Sequence, residues 1–160
     1  MNMYDRTVEY ILENNEKFYR LAYSYVKNKE CALDVVQNSI VKGLEKCEKL
    51  KNPDAIKTWF YRIIVNEALM YLRKIKREQF FIGHNAENTY YEDKYEDNEV
   101  YGKVQKLPEK VRTVIVLHFY EELTLKEISE VTDTNINTVK SRLYSGLEKL
   151  RKDWGIEYEY

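Results

Sequence analysis

Proline occurs twice and glycine five times in 160 residues. That leaves little turn chemistry for a β-sandwich or barrel. Only two cysteines are present, Cys31 and Cys47, with no Cys or His at metal-ligand spacing beside them. They read as reduced, buried thiols rather than a zinc site or a disulfide. The two histidines, His84 and His118, have neither triad nor metal-ligand spacing around them. No catalytic residue, metal, cofactor or small-molecule substrate is expected. Long apolar runs are also missing: residues 111–119 are the most apolar, and Arg112 and His118 interrupt them. No segment is long enough to span a membrane. Asp5, Arg6 and Glu9 break up the N-terminus, so no signal peptide is expected and the chain reads as cytoplasmic. An excess of one charge is absent as well, with 26 Lys and Arg against 27 Asp and Glu. A globally basic nucleic-acid binder is excluded, and the placement of charge becomes the informative quantity.

Hydrophobic residues make up 44% of the chain and charged residues 33%, a balance that suits helices with charged outer faces. Apolar spacing predicts one long helix, or two in series, over residues 7–26. A second is predicted over about 30–50, burying Leu33, Val36, Ile40, Val41 and Leu44, with Asp34, Gln37 and Asn38 clustered on its exposed side. Asn52-Pro53-Asp54 starts a third: Asn as N-cap, Pro at the first helical position, Asp on the positive end of the dipole. This helix carries Trp59, Phe60 and Tyr61 in succession, continues through Arg62 and Asn66, and reaches about Arg77. Its end is basic, with Arg73, Lys74, Lys76 and Arg77, and Glu67 is the only acid from Thr58 to Arg77. Aromatics beside a basic stripe suit binding of single-stranded nucleic acid. An ordinary core role for Trp59, Phe60 and Ile63, with a basic end complementing the helix dipole, accounts for the same residues.

Residues 87–99 lose apolar periodicity and collect Glu92, Asp93, Glu96, Asp97 and Glu99, as an acidic linker would. A second helical domain begins near Val100. Leu107-Pro108-Glu109 opens a helix there that Val111, Val114, Ile115, Leu117 and Phe119 should bury. Thr124 and Glu127 have capping-box spacing, and Leu125, Ile128 and Val131 form the stripe of a short helix. Asp133 and Thr134 fall in a tight turn, and Asn135 can cap the last helix. Beyond it Val139, Leu143, Gly146 and Leu150 keep helical spacing, while Asn137, Lys140, Ser141, Tyr144 and Ser145 share the other face. An apolar inside with hydrogen-bond donors outside is what a helix-turn-helix places in the major groove. A plain αα-hairpin with a solvated face has the same periodicity.

Taken together, the two halves resemble the bacterial sigma factors of RNA polymerase, in particular the small extracytoplasmic-function type within the sigma-70 family. In the first half, 32–38 (Ala-Leu-Asp-Val-Val-Gln-Asn) is similar to the family's D-x-x-Q-E helix. Residues 59–66 (Trp-Phe-Tyr-Arg-Ile-Ile-Val-Asn) are similar to its W-L-x-R-I-A-x-N stretch. In the second half, Leu107-Pro108, Leu125 with Ile128, and 138–143 (Thr-Val-Lys-Ser-Arg-Leu) resemble the L-P…E-I-A…T-V-K-S-R-L signature. The resemblance implies an all-α fold of two small helical domains: sigma domain two over 1–80, an acidic linker over 81–99, and sigma domain four over 100–160. It implies a non-catalytic protein that binds core RNA polymerase and directs promoter recognition, DNA melting and transcription initiation.

By the same resemblance, Asp34, Gln37 and Asn38 would grip the coiled coil of the polymerase β′ subunit, and the second domain would dock on the β flap. Trp59, Phe60, Tyr61, Arg62 and Asn66 would capture non-template bases of the −10 element, and Arg73, Lys74, Lys76 and Arg77 the adjoining phosphates. Asn137, Thr138, Lys140, Ser141, Tyr144 and Ser145 would face the −35 duplex, with Arg142 a phosphate or intradomain partner. An anti-sigma factor, often membrane-anchored in this family, would hold the protein inactive at the inner face of the membrane. The sequence departs from the pattern in places. Asn38 stands for a usual Glu, Met70 for an Asp that ties helices together, Asp133 and Asn137 for glycines, and Ser145 for a basic residue. A stand-alone helix-turn-helix regulator, binding half-sites as a dimer, is the competing reading; an enzyme is the weakest.

Overall fold

A computed structural model of the chain describes residues 1–82 and 99–154; the acidic stretch with His84 and the 155–160 tail lie outside the described residues. The chain divides into two compact units, Met1–Asp93 and Lys94–Tyr160. Every element among the described residues is helical, and no helix there is long and apolar enough to cross a membrane.

The first unit packs three long helices, α1 (Met3–Val26), α2 (Lys29–Lys46) and α3 (Ile56–Ile82). Short 3-10 turns at Cys47–Lys49 and Pro53–Ala55 connect α2 to α3. Asparagine starts α1, α2 and the 3-10 turn that leads into α3: the Asp5 N–H donates to Asn2 Oδ1 at 2.8 Å, Cys31 N–H to Asn28 Oδ1 at 3.0 Å, and Asp54 N–H to Asn52 Oδ1 at 3.0 Å. Each bond satisfies a donor that the helix itself leaves orphaned. α1 is one helix rather than two, and it ends at Lys27 in the left-handed conformation (φ 53°).

In α2 the expected core is corrected. Leu33 and Val41 are 50% and 55% exposed, and the buried set is Ala32, Val35, Val36, Ser39 and Gly43. Small residues face inward because the helices approach closely. A Cβ on Gly43 would lie 2.7 Å from Phe60 Cε2, and Ser39 turns its hydroxyl onto the Val35 carbonyl at 2.7 Å. Cys47 is buried and Cys31 half-buried, and both are free thiols.

The second unit comprises α4 (Glu99–Gln105), α5 (Glu109–Ile115), α6 (Leu125–Thr132) and α7 (Ile136–Trp154). α5 runs into a wide π-helical turn, Val116–Tyr120, closed by Glu121 N–H donating to the Val116 carbonyl at 3.1 Å. The wide turn corrects another expectation. Phe119 is 52% exposed, and Tyr120, one residue further on, packs its ring edge-on against Tyr101 at 5.6 Å. Val114, Ile115 and Leu117 are buried as expected, and buried Arg112 donates to the Gln105 carbonyl at 3.1 Å, tying α4 to α5.

Candidate nucleic-acid interfaces

α3 is the longest described helix, and its faces differ sharply. Of its successive aromatics, Phe60 and Tyr61 are core residues, 0% and 1% exposed. Their rings close on Phe18 of α1 at 4.8 and 5.3 Å. Both were expected against DNA bases; packed on every side, neither offers a ring face to a base. Trp59 is half-buried and keeps part of its surface in solvent. Arg62, Asn66, Arg73, Lys74, Lys76 and Arg77 are all exposed. Spacings of three, four and seven place Trp59, Arg62, Asn66, Arg73 and Arg77 along one side of the helix. The sole acid in this stretch, Glu67, is turned inward, 8% exposed, and pairs with Lys42 of α2. The outer face of α3 is therefore free of acid from Lys57 to Arg77.

Beyond the basic cluster α3 continues past the expected end and carries Phe80 and Phe81, 83% and 82% exposed. Sequence reasoning missed them because it stopped the helix near Arg77. Their spacing from Arg73 and Arg77 was the available signal.

The outer face of α2 brings Asp34, Gln37 and Asn38 together, all exposed, with Leu33 and Val41 on either side. The Tyr71 hydroxyl of α3 donates to Asp34 Oδ2 at 3.3 Å. Burial, then the nearby Cys31 and Asp34 side chains, push the Tyr71 phenol well above its ordinary range, so it stays a donor. A polar tie between α2 and α3 is thus made by Tyr71, the neighbour of Met70. Met70 itself is 52% exposed.

In the second unit, Thr124 and Glu127 form the full capping box: Glu127 N–H donates to Thr124 Oγ1 at 3.1 Å, and Thr124 N–H to Glu127 Oε1 at 2.9 Å. Ile128 and Val131 bury α6. Asp133 then takes the left-handed conformation (φ 50°) that ends the helix, a geometry Asp tolerates better than most residues. Ser129 Oγ donates to the Thr134 carbonyl at 2.6 Å, which stiffens the turn. The Asn137 N–H donates to Asn135 Oδ1 at 2.8 Å and starts α7.

Val139, Leu143, Gly146 and Leu150 of α7 are buried. On the opposite side Asn137, Thr138, Lys140, Ser141 and Tyr144 are exposed, and Ser145 and Arg142 are half-buried. Tyr144 is 68% exposed. Ser141 Oγ donates to the Asn137 carbonyl at 3.0 Å, so its hydroxyl hydrogen is engaged by its own helix. No acid appears on this face before Glu148. Arg151 pairs with that carboxylate, and this bond holds it below its ordinary range.

Both halves of the chain match known families. Residues 11–78 match the family model described as Sigma-70 region 2, and residues 97–150 match that of Sigma-70, region 4. RNA polymerase sigma factor SigV of Bacillus subtilis is 44% identical over 143 residues, covering 88% of this chain and 86% of SigV. ECF RNA polymerase sigma factor SigW of the same organism is 31% identical over 154 residues, covering 86% and 82%. Among solved structures, the sigma factor RpoE in complex with the anti-sigma factor NepR, from Bartonella quintana, aligns with a TM-score of 0.77. That alignment covers 94% of this chain and 97% of the other at 21% identity. CnrH in complex with the cytosolic domain of CnrY aligns with a TM-score of 0.68 at 19% identity, covering 93% and 87%. At those identities the two structures speak to the fold.

Proposed function

The chain belongs to the extracytoplasmic-function sigma factors of the sigma-70 family, and from that premise we propose how its surfaces divide the work of transcription initiation. Residues 1–80 act as the domain that binds core polymerase and the −10 element, and 100–160 as the domain that reads the −35 element. The α2 face of Asp34, Gln37 and Asn38 docks on the β′ coiled coil, with Leu33 and Val41 adding apolar contact. The outer face of α3 takes the non-template strand: Trp59 offers a ring to an unstacked base, Arg62 and Asn66 offer donors, and Arg73, Lys74, Lys76 and Arg77 hold phosphates. Phe60 and Tyr61 support this face from beneath.

α7 enters the major groove of the −35 duplex with Asn137, Thr138, Lys140 and Tyr144, while Ser141, Ser145 and Arg142 sit at its margin. The observation that carries the reading is the pair of acid-free helix faces, one in each unit, on a chain whose net charge is −1. Neutral overall, it presents cations where phosphate would lie. The second unit also docks on the β flap. An anti-sigma factor is proposed as the regulatory partner; the two aligned solved complexes each pair their protein with such a chain or with a cytosolic domain.

The test is run-off transcription from genomic fragments with purified core polymerase, with and without the protein. Promoter-specific transcripts that require the protein are expected. Tight duplex binding by the protein alone, with no transcript, would favour a stand-alone helix-turn-helix regulator instead.

A further inference from the structure

Phe80 and Phe81 take no part in the contacts proposed for α2, α3 and α7. Their rings stand edge-to-face, centroids 5.9 Å apart at 82°, and more than four-fifths of each residue is in solvent. Two large exposed rings side by side mark a contact surface. Their surroundings choose the partner. The same end of α3 carries exposed Arg73, Lys74, Lys76 and Arg77, and the nearest acid on the helix is Glu78. Protein-binding patches are depleted of lysine at their centre, whereas apolar wedges beside cationic phosphate contacts are a device of DNA-binding proteins. Charge complementarity therefore points to nucleic acid.

Helix geometry then narrows which DNA. At 1.5 Å rise per residue, Phe80 stands about 30 Å from Trp59 along α3, a span of roughly nine base pairs at 3.4 Å each. If Trp59 holds a base of the melted −10 element, rings so far along the helix meet DNA that is still paired. Along the chain the C-terminal end of α3 leads on to the second unit, the one proposed for the −35 element, so the paired DNA assigned to these rings is that on the −35 side. Two perpendicular rings present a corner rather than a flat platform, a shape that fits a groove edge or a base step better than a single unstacked base.

We propose that Phe80 and Phe81 form an apolar wedge against the duplex flanking the −10 element on its −35 side. The inference rests on the −10 assignment of α3. Its test uses full-length protein assembled with core polymerase and two forked probes from a promoter found by run-off transcription. One probe retains the flanking duplex and the other ends at the −10 boundary. The F80A/F81A double variant should bind the first probe about tenfold more weakly and the second within about twofold of wild type. Circular dichroism is expected to be unchanged, since neither side chain is in the core. Equal binding of wild type and variant to the flanked probe would overturn the proposal. So would equal losses on both probes, or a loss of core-polymerase affinity with DNA binding by the assembled holoenzyme intact, which would point to a protein partner. The −10 assignment fails separately: wild-type holoenzyme would then bind both probes without regard to the −10 bases, and Trp59→Ala would change nothing.

Discussion

Single residues decide how near the helices come. A Cβ on Gly146 would lie 2.8 Å from Ile115 Cδ1 and Cγ1 and 3.0 Å from Val111 Cγ1. Both neighbours are β-branched and stiff at χ1, so the backbones would have to part. Gly102, in α4, has nothing within 4 Å of the same position. Ala is favoured over Gly inside a helix by about 1 kcal/mol, and overpacking a tight contact costs about 1–3 kcal/mol. Gly102→Ala should therefore raise the melting temperature of the second unit and Gly146→Ala should lower it, by several degrees each in thermal unfolding. A rise for Gly146→Ala would rule out tight packing there. A second residue, Asn137, is proposed to act in reading rather than packing. It is exposed in the first turn of α7, and its N–H and carbonyl serve the Asn135 cap and Ser141. Its side-chain amide can present a donor and an acceptor to adenine N6 and N7. With holoenzyme on a randomised −35 library, Asn137→Ala should relax preference at one adenine by about 1–3 kcal/mol and leave the other positions ranked as before. Preference unchanged at every position would remove Asn137 from base readout.

At the level of whole elements, what was legible in the sequence was local, and what was not depended on partners far along the chain. The caps at Asn52, Thr124 and Asn135 could be read because a capping bond spans only two or three residues. The inward stripe of α7 could be read because Val139, Leu143, Gly146 and Leu150 keep one spacing throughout. α2 misled, since Leu33 and Val41 face out while Ala32, Ser39 and Gly43 face in: at Gly43 the Phe60 ring leaves no room for a Cβ, a demand set by another helix. Phe119 misled because a π turn adds a residue, rotates it outward and brings Tyr120 to the inside. Burial of Phe60 and Tyr61 was open in the sequence, for three aromatics in a row fit a core or a stacking surface until Phe18 is known to lie between them. A local signal also makes a local prediction. Thr124→Ala removes one of the two reciprocal bonds that start α6 and should cost about 1 kcal/mol, read as a lower denaturation midpoint with an unchanged m-value. A midpoint within error of wild type would show the box to be redundant.

Across the whole molecule, charge is nearly balanced in number and strongly sorted in place. Basic side chains collect on the outer face of α3 and on α7, Glu67 is folded under its helix, and acids gather in the stretch before Glu99. A globally cationic protein would bind any DNA; sorting of charge favours phosphate at the basic faces of α3 and α7. Each phosphate neutralised releases condensed counterions and contributes about 0.9 to the slope of log affinity against log salt on duplex DNA, or about 0.7 on a single strand. Lys140, on the α7 face proposed for the −35 duplex, would reach a phosphate at the groove edge, and Arg73 lies on the face proposed for the −10 strand. The two lie in separate compact units, so their effects should add. Salt titrations of promoter binding by holoenzyme should show the slope reduced by nearly one for Lys140→Ala. For Arg73→Ala the reduction should be slightly smaller, and the double variant should show the sum. Affinity should fall on all promoters alike, because phosphate contacts carry no sequence information. A variant that alters promoter ranking while leaving the salt slope intact would instead mark its cation as a reader of bases.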